Sequence, residues 1–141
     1  MAAEGCIFCA IVAGRAPAAR VYEDDVVLVF LDIFPVSRGH TLVILKQHCE
    51  NIFAAPAESL AVLMPVSRRV ALALRQTLSP AGLAIAQLNG AAAGQTVFHY
   101  HMHLVPRAGG EGLVLHGRGR ADDADLQQLA AALGQALAMI D

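Results

Sequence analysis

The sequence predicts an α+β fold in which an antiparallel sheet of about five strands packs against a few helices. One observation is a set of five short apolar stretches bounded by turn residues, as strands usually are. They run over residues 20–23, 26–32, 40–45 and 83–88, and between Gly94 and Pro106. A second is the acidic turn Glu23-Asp24-Asp25, which is short enough to join the first two stretches as a hairpin. A third is the helical spacing of leucines in two further stretches.

Three stretches are expected to be helices. A short one runs from Cys6 to Ala13, and a long one lies mainly between Asn51 and Leu78. Pro65 lies inside the long stretch and is expected to kink or interrupt it, because proline lacks a backbone donor. Asp122 to Ile140 has an acidic start and a leucine stripe, which predicts a final helix. The chain shows neither an internal repeat nor a linker, so a single domain over residues 1–141 is expected.

Composition argues against several classes of partner. Ten basic and 12 acidic residues give a net charge of −2, so we expect neither a nucleic-acid-binding surface nor a basic membrane patch. The apolar runs are too short to span a bilayer, and the N-terminus lacks the pattern of a signal peptide. We therefore expect a soluble, cytoplasmic protein. Apolar residues make up 56% of the chain and charged ones 16%, which favours a surface for self-association.

Three histidines alternate with apolar residues near the centre of the chain. In a strand, His99, His101 and His103 would project from one face, because side chains alternate between the two faces. The residues between and after them would enter the core: Tyr100, Met102 and Leu104. A purely structural role is disfavoured, since three protonated imidazoles on one face would repel one another. Two functional interpretations remain, a metal cluster and a histidine nucleophile with helpers.

A nucleophile would suit the middle position of this triplet. A neutral imidazole attacks phosphorus well and also leaves well, so it can carry a nucleotidyl group between two displacements. His101 would attack, while His103 and Thr96 would hold the phosphate or its leaving group. The small-residue loop at 91–96 could approach an anion with its backbone N–H groups, although an ordinary connection is the alternative.

The triplet and its flanking stretches resemble a known family. The residues His99-Tyr100-His101-Met102-His103-Leu104-Val105 match the His-φ-His-φ-His-φ-φ signature of the histidine triad superfamily. Other stretches are similar to the bacterial, zinc-containing members of its nucleoside phosphoramidase branch. In chain order these are Cys6-Ile7-Phe8-Cys9, Tyr22-Glu23-Asp24-Asp25, Phe30-Leu31-Asp32-Ile33, Gly39-His40-Thr41-Leu42-Val43-Ile44, Asn89-Gly90 and Gly94-Gln95-Thr96. The resemblance extends from about Cys6 to Arg107, with a looser match in the C-terminal helix.

The resemblance implies a role for each matching position. His101 would form a nucleotidyl-histidine, with His99 and His103 flanking it. His40 would support the triad by hydrogen bonding, and Asp32 would bind the ribose hydroxyls. Six apolar residues would line a pocket for a purine base: Ile7, Phe8, Ile11, Phe30, Ile33 and Leu42. Four residues of the preceding loop would meet the phosphate: Asn89, Gly94, Gln95 and Thr96.

The resemblance also gives a meaning to the two N-terminal cysteines. Taken alone, Cys-x-x-Cys is a weak signal that suits a buried pair or a redox pair. In similar bacterial proteins such a pair binds zinc, and the corresponding positions here are Cys6, Cys9, His48 and His99. Two thiolates and two imidazoles would form a closed, structural Zn²⁺ site. Cys49 is a possible rival ligand, but the family pattern uses the histidine before it.

The implied function is an enzyme that hydrolyses purine nucleoside 5′-phosphoramidates, or related nucleotidyl conjugates, to the nucleoside monophosphate. A dinucleoside polyphosphate hydrolase is a second possibility, and a non-catalytic nucleotide-binding or interaction protein is a third. The family implies a homodimer. Three features depart from its pattern: Leu45 replaces a common proline, Pro65 lies in the long helix, and the C-terminal segment has no tryptophan. The glycine-rich stretch from Ala108 to Arg120, which contains His116, is expected to be irregular.

Overall fold

The computed structural model describes residues 3–110, 112 and 114–141, and it confirms the α+β fold. Positions 111 and 113 of the glycine-rich stretch lie outside the described residues. The strands are β1 (Arg20–Glu23), β2 (Val27–Leu31), β3 (Thr41–Leu45), β4 (Gly82–Gln87) and β5 (His101–Arg107). They form one antiparallel sheet in the order β1-β2-β3-β5-β4. The helices are α1 (Ile7–Val12), α2 (Ala57–Leu78) and α3 (Asp123–Ala138).

The two faces of the sheet bury different clusters, because side chains alternate along each strand. In β2, Val29 lies in the larger apolar cluster, which includes buried residues of α2 and α3. Its neighbours Leu28 and Phe30 point the other way and pack in a smaller cluster with Phe8 of α1. The long helices therefore stabilise one face of the sheet, and the short helix α1 covers part of the other.

Strand β5 carries two of the three histidines on the α1 face. Opposite residues of an antiparallel pair share a face, and His101 lies opposite Ile44 while His103 lies opposite Leu42. Both of these β3 residues belong to the smaller cluster. The apolar residues that alternate with the histidines pack in the larger cluster, as predicted: Tyr100, Met102 and Leu104. His99 lies just before the strand, at a fully buried position.

Helix α2 runs without interruption from Ala57 to Leu78, so of the two predicted effects of Pro65 the interruption is wrong and the kink stays a prediction. Pro65 is exposed, whereas Leu63 and Val70 on either side of it are buried against the sheet. This packing outweighs the cost of about 3 kcal/mol that an interior proline imposes on a helix. Within the described ranges, no helix combines the length and hydrophobicity needed to cross a membrane.

Strand β5 passes through Pro106, which therefore is not the predicted stop signal. Strand β3 pairs with β5 only as far as Leu104. The backbone nitrogen of Pro106 faces the β3 side of the strand, where β3 has already ended, so the missing N–H costs no hydrogen bond. The carbonyl of Pro106 instead accepts a hydrogen bond from Ser37 Oγ at 2.5 Å. The loop between β2 and β3 is thereby held against the end of the histidine strand.

Candidate active site and metal-binding cluster

Two thiols and two imidazoles meet where α1 approaches the sheet. Cys6 is the N-cap of α1, and its Sγ accepts a hydrogen bond from the backbone N–H of Cys9 at 3.4 Å. His48 follows β3 and His99 precedes β5. The four ligand atoms lie within 4.8 Å of one another. The structure thus brings together all four residues that were predicted as metal ligands.

The spacing of these four atoms is that of ligands around one ion. His48 Nδ1 lies 3.2 Å from His99 Nδ1 and 3.3 Å from Cys9 Sγ. Cys6 Sγ lies 3.4 Å from His99 Nδ1. Ligands of tetrahedral zinc at its usual bond lengths stand about 3.3 to 3.8 Å apart. The donor set therefore fits Zn²⁺, and the group is complete without Cys49.

His99 can serve a metal because its other ring nitrogen is already used. The carbonyl of Leu45 can only accept, so the 2.6 Å contact requires a proton on His99 Nε2. Nδ1 is then the unprotonated nitrogen of the neutral ring, and it faces the thiols. Burial lowers the pKa of His99 to about 4. The ring is therefore neutral at neutral pH, which is the state that metal binding requires.

His101 has the opposite arrangement of its ring nitrogens. Its Nδ1–H donates to the backbone carbonyl of His99 at 2.7 Å, which leaves the lone pair on Nε2. The ring is 6% exposed and packs edge-on against Phe8, with centroids 5.1 Å apart. Burial lowers the pKa of His101. The result is a neutral imidazole in a cavity wall, with an available lone pair on Nε2, as a nucleophile requires.

A chain of hydrogen bonds fixes the proton positions on His40 and His103. Val36 N–H donates to His40 Nδ1 at 3.0 Å, so neutral His40 carries its proton on Nε2. That Nε2–H donates to His103 Nδ1 at 2.9 Å, so neutral His103 also carries its proton on Nε2. His103 Nε2 is buried and has no hydrogen-bond partner in the described part of the chain. Since an unpaired buried donor is costly, we expect an atom of a bound ligand to accept a hydrogen bond from this N–H.

Asp32 lies beside this chain, directly after β2. One carboxylate oxygen accepts from Phe34 N–H at 2.8 Å, and the other lies 3.6 Å from His40 Nε2. Burial lowers the pKa of His40 to about 4 and that of His103 to about 3, so these rings are neutral and the contact with Asp32 is not an ion pair. Burial also raises the pKa of Asp32.

The side chains of Asp32, His40 and His103 also place their ligand atoms within 4.8 Å of one another. The lone pair on His103 Nδ1, however, already accepts the proton of His40 Nε2. We therefore assign this second set to hydrogen bonding rather than to a metal.

A cavity of about 570 Å³ opens in front of His101 and His103. This volume lies within the range of small-molecule sites. Its lining includes all six residues predicted to form a base pocket: Ile7, Phe8, Ile11, Phe30, Ile33 and Leu42. Asp32 and Thr96 also line it. The cavity suits a ligand that has an apolar ring system at one end and an anionic group at the other.

Three loop residues predicted to meet the phosphate have a different position. Of the described residues, the cavity lining includes Thr96 but not Asn89, Gly94 or Gln95. Gln95 is 4% exposed, and its amide donates to two backbone carbonyls and accepts from a backbone N–H. Asn89 Oδ1 accepts from Ile52 N–H at 2.8 Å, and Gly94 supplies a φ of 97°. These contacts shape the loop beside the cavity, and the direct contact of Asn89, Gly94 and Gln95 with phosphate stays a prediction.

His116 was not among the site residues predicted from the sequence. The structure places it in the cavity wall, with its ring centroid 5.9 Å from that of His103. Its Nε2–H donates to the carbonyl of Gly94 at 2.9 Å. The glycine-rich stretch has no periodicity that could assign a face to this residue. The one available signal was an ionisable ring within an irregular loop.

The site and the sheet order define a histidine triad protein, and comparisons with known proteins agree. A family model described as HIT domain matches residues 13–110. The chain therefore belongs to the HIT, or histidine triad, family.

Similar proteins cover nearly the whole chain. Protein hit of Bacillus subtilis (strain 168) is 46% identical over 140 residues, which is 96% of this chain and 97% of that protein. The crystal structure of a Zn-bound histidine triad family protein from Mycobacterium smegmatis is 45% identical, with a TM-score of 0.83 and coverage of 97% and 96% of the two chains. A hypothetical histidine triad nucleotide-binding protein from Sulfolobus tokodaii strain7 is 32% identical, with a TM-score of 0.86 and coverage of 94% and 92%.

Proposed function

We propose that this protein hydrolyses purine nucleoside 5′-phosphoramidates, or related nucleotidyl conjugates, to the nucleoside monophosphate. The observation that carries the proposal is a pair of neighbouring rings with complementary nitrogens. His101 keeps a lone pair on Nε2, and His103 keeps an N–H on Nε2 that no described residue accepts. Their ring centroids are 4.9 Å apart. A nucleophile beside a preorganised donor is what nucleotidyl transfer through histidine needs.

The reaction would proceed in two displacements at phosphorus. In the first, the lone pair of His101 Nε2 forms a bond to phosphorus while the bond to the leaving nitrogen breaks. That nitrogen takes up one proton and departs as an amine. In the second, water attacks phosphorus, the bond to Nε2 breaks and one proton is released, so the sum consumes one water molecule. His103 Nε2–H would donate to a phosphate oxygen whose negative charge grows in each transition state.

The rest of the cavity supports a nucleotide as the substrate. The apolar wall around Phe8 and Leu42 offers a surface for a purine ring. The similar Sulfolobus tokodaii protein is named a histidine triad nucleotide-binding protein, which supports a nucleotide as the ligand. The Asp32 carboxylate keeps one oxygen that could accept from ribose hydroxyls, since Phe34 N–H uses only the other. Thr96 lies on the lining and could donate to a phosphate oxygen.

Zinc would act as a structural ion in this protein. Cys6, Cys9, His48 and His99 would hold it, as the donor spacing and the Zn-bound relative support. Bound zinc would tie α1 to the segments that flank β3 and β5. The backbone carbonyl of His99 accepts the Nδ1–H of His101, so a fixed His99 would keep the nucleophile oriented.

The test is turnover of adenosine 5′-phosphoramidate by the wild type and by His101→Ala. We expect the substitution to lower turnover by about 10⁴-fold, because the carrier of the nucleotidyl group is lost. A single turnover stopped in alkaline denaturant should show, by intact mass, one nucleotidyl group on the wild type and none on the variant.

Zinc content and thermal unfolding serve as controls for this experiment. Zinc content should match between the wild type and His101→Ala, since the side chain of His101 is not among the four clustered donors, and a cooperative thermal transition should show that the variant is folded. Turnover that survives in the variant would overturn the proposal. Nucleotide binding by a wild type that shows no turnover would instead support a non-catalytic nucleotide-binding protein.

We further propose that the protein works as a homodimer in the cytoplasm. Strand β4 is an edge of the sheet, and its Ile85 is 44% exposed, which favours pairing with another chain. All three cysteines are free, and thiolate ligands persist in a reducing compartment. Sedimentation equilibrium would measure the oligomeric state.

A further inference from the structure

The segment that carries His116 is fixed against the protein on one side of the cavity. A Cβ at Gly117 would overlap the carbonyl oxygens of Phe34 and Pro35, so only glycine permits this close approach. Further along, Ala121 N–H donates to the carbonyl of Ile33 at 2.8 Å. The segment therefore lies along the loop that follows β2 and Asp32.

The ring of His116 reaches the opposite side of the cavity. Its Nε2–H donates to the carbonyl of Gly94, which belongs to the loop before β5. The ring meets His103 edge-on at an interplanar angle of 86°. His116 thus joins the two loops that border the cavity. Its side chain is exposed, which leaves room for a ligand to contact it.

The second nitrogen of this ring explains why its charge would matter. Neutral His116 has a lone pair on Nδ1, because its proton is on Nε2. A phosphate oxygen near that lone pair would be repelled. Protonation of Nδ1 converts it into a second donor and adds a positive charge, without breaking the bond to Gly94.

Several ionisable groups face His116 across the cavity or beside it. Asp32 comes from the end of β2, His40 from the start of β3, and His101 and His103 from β5. Burial is the main cause of the shifted pKa at each of these groups: it lowers the pKa of His40, His101 and His103 and raises that of Asp32. A positive charge on His116 lowers the pKa of the three histidines further and opposes the rise at Asp32.

Positive side chains lie on the other side of the ring. Arg107 and Arg118 line a neighbouring cavity of about 330 Å³, of which His116 is also a lining residue. His116 therefore stands between the proposed substrate pocket and a wall that contains two guanidinium groups.

We propose that His116 is a substrate-binding residue that closes the cavity and, in its protonated form, contacts the phosphate of the bound substrate. This inference rests on the proposed function, since it names a further contact to the same substrate. It predicts that binding is tighter at pH values at which imidazoles are protonated. A residue whose only role was to hydrogen-bond to the carbonyl of Gly94 would not make substrate binding depend on pH.

The test compares His116→Ala and His116→Gln with the wild type. The substrate is an adenosine 5′-phosphoramidate with an N-alkyl group, whose single negative charge does not titrate in the range used. Values of kcat and KM are measured between about pH 5.5 and 8, where imidazole titrates. We expect KM of the wild type to fall about fivefold toward the acid end, as gain of a partly exposed charge contact allows. In both variants KM should stay flat.

The two variants and a matched control distinguish the effect of the positive charge of His116 from the effect of its hydrogen bond to Gly94. Glutamine can still donate to Gly94 but cannot be protonated, so near pH 8 the KM of His116→Gln should lie closer to that of the wild type than the KM of His116→Ala does. Arg118→Gln removes a positive charge from the same segment and should keep the pH dependence of KM. A pH-dependent KM that is unchanged in His116→Gln would overturn the inference while the proposed function stands.

Failure of the proposed function has a different signature. If the wild type does not turn the substrate over, dissociation constants from calorimetry replace KM in the same comparison. Absence of both turnover and binding in the wild type would overturn the proposed function and this inference together.

Discussion

His99 and His101 are two residues apart, yet they use opposite ring nitrogens. His99 donates from Nε2 to the carbonyl of Leu45 and directs Nδ1 to the thiols. His101 donates from Nδ1 to the carbonyl of His99 and keeps its lone pair on Nε2. Both rings are buried. The backbone carbonyl that each ring meets therefore decides whether the ring suits a metal ion or a phosphorus atom.

The two regions also differ in how far their polar groups are satisfied. In the metal-binding cluster, the four donors converge on a point that one ion would satisfy. In the proposed catalytic region, His40 and His103 are hydrogen-bonded to each other, but His103 Nε2 has no acceptor among the described residues. Under the proposed function, the first region would contribute stability and the second would bind the substrate. Changes in each region should therefore affect different measurements.

The largest effect on stability is expected from Cys9→Ser in the metal-binding cluster. Cys9 is 3% exposed, and its Sγ lies 3.3 Å from His48 Nδ1. Loss of a structural zinc ligand should lower zinc content below one ion per chain and the free energy of unfolding by about 4 kcal/mol. Metal analysis and denaturant unfolding measure the two quantities.

Cys49→Ser is the matched control for this change. Cys49 is also a buried cysteine, at 7% exposure, but it lies outside the cluster. Zinc content should remain at one ion per chain in this variant. A loss of zinc from Cys49→Ser, or its retention in Cys9→Ser, would show that the ligand set is wrong.

A smaller loss of stability is expected at acid pH, and it comes from the buried histidines of the proposed catalytic region. Burial lowers the pKa of His40 to about 4 and of His103 to about 3 in the folded protein, whereas an unfolded histidine titrates at about 6.5. Below that value the unfolded state binds protons that the native rings do not. The free energy of unfolding should therefore fall by about 3 kcal/mol between pH 7 and 5.

His40→Gln tests the origin of this loss. The variant removes one of the buried rings whose pKa is lowered, so its free energy of unfolding should fall by about 1.5 kcal/mol less than that of the wild type over the same range. Release of zinc in acid affects both proteins and cancels in the difference. An equal fall in the wild type and the variant would mean that the buried rings are not its source.

Much of the fold follows from short-range patterns in the sequence. Alternation along β2, β3 and β5 predicts their faces, and acidic residues predict the start of α3, where the Asp122 carboxylate accepts from Asp125 N–H. Helix α2 is not interrupted at Pro65 and strand β5 does not end at Pro106, in both cases for tertiary reasons. Packing carries α2 past Pro65, and the early end of β3 leaves Pro106 with no hydrogen bond to lose.

The site could be predicted only where a residue type and its spacing have one common use. The cysteine pair and the histidine triplet meet this condition, so the structure brings their residues together. Gln95 does not meet this condition, because an amide can bind a ligand or the backbone equally well; in this structure its side chain bonds to the backbone, and its contact with phosphate stays a prediction. His116 could not be found because its position depends on an irregular segment and on Gly117.

Histidine ¹⁵N NMR of the zinc-loaded protein tests the contrast between the two rings most directly, because it reports the protonation and metal binding of each nitrogen. We expect His101 to show a protonated Nδ1 and an unprotonated, metal-free Nε2. We expect His99 to show a protonated Nε2 and an Nδ1 shifted by zinc. A proton or a metal on His101 Nε2 would contradict its assignment as the nucleophile.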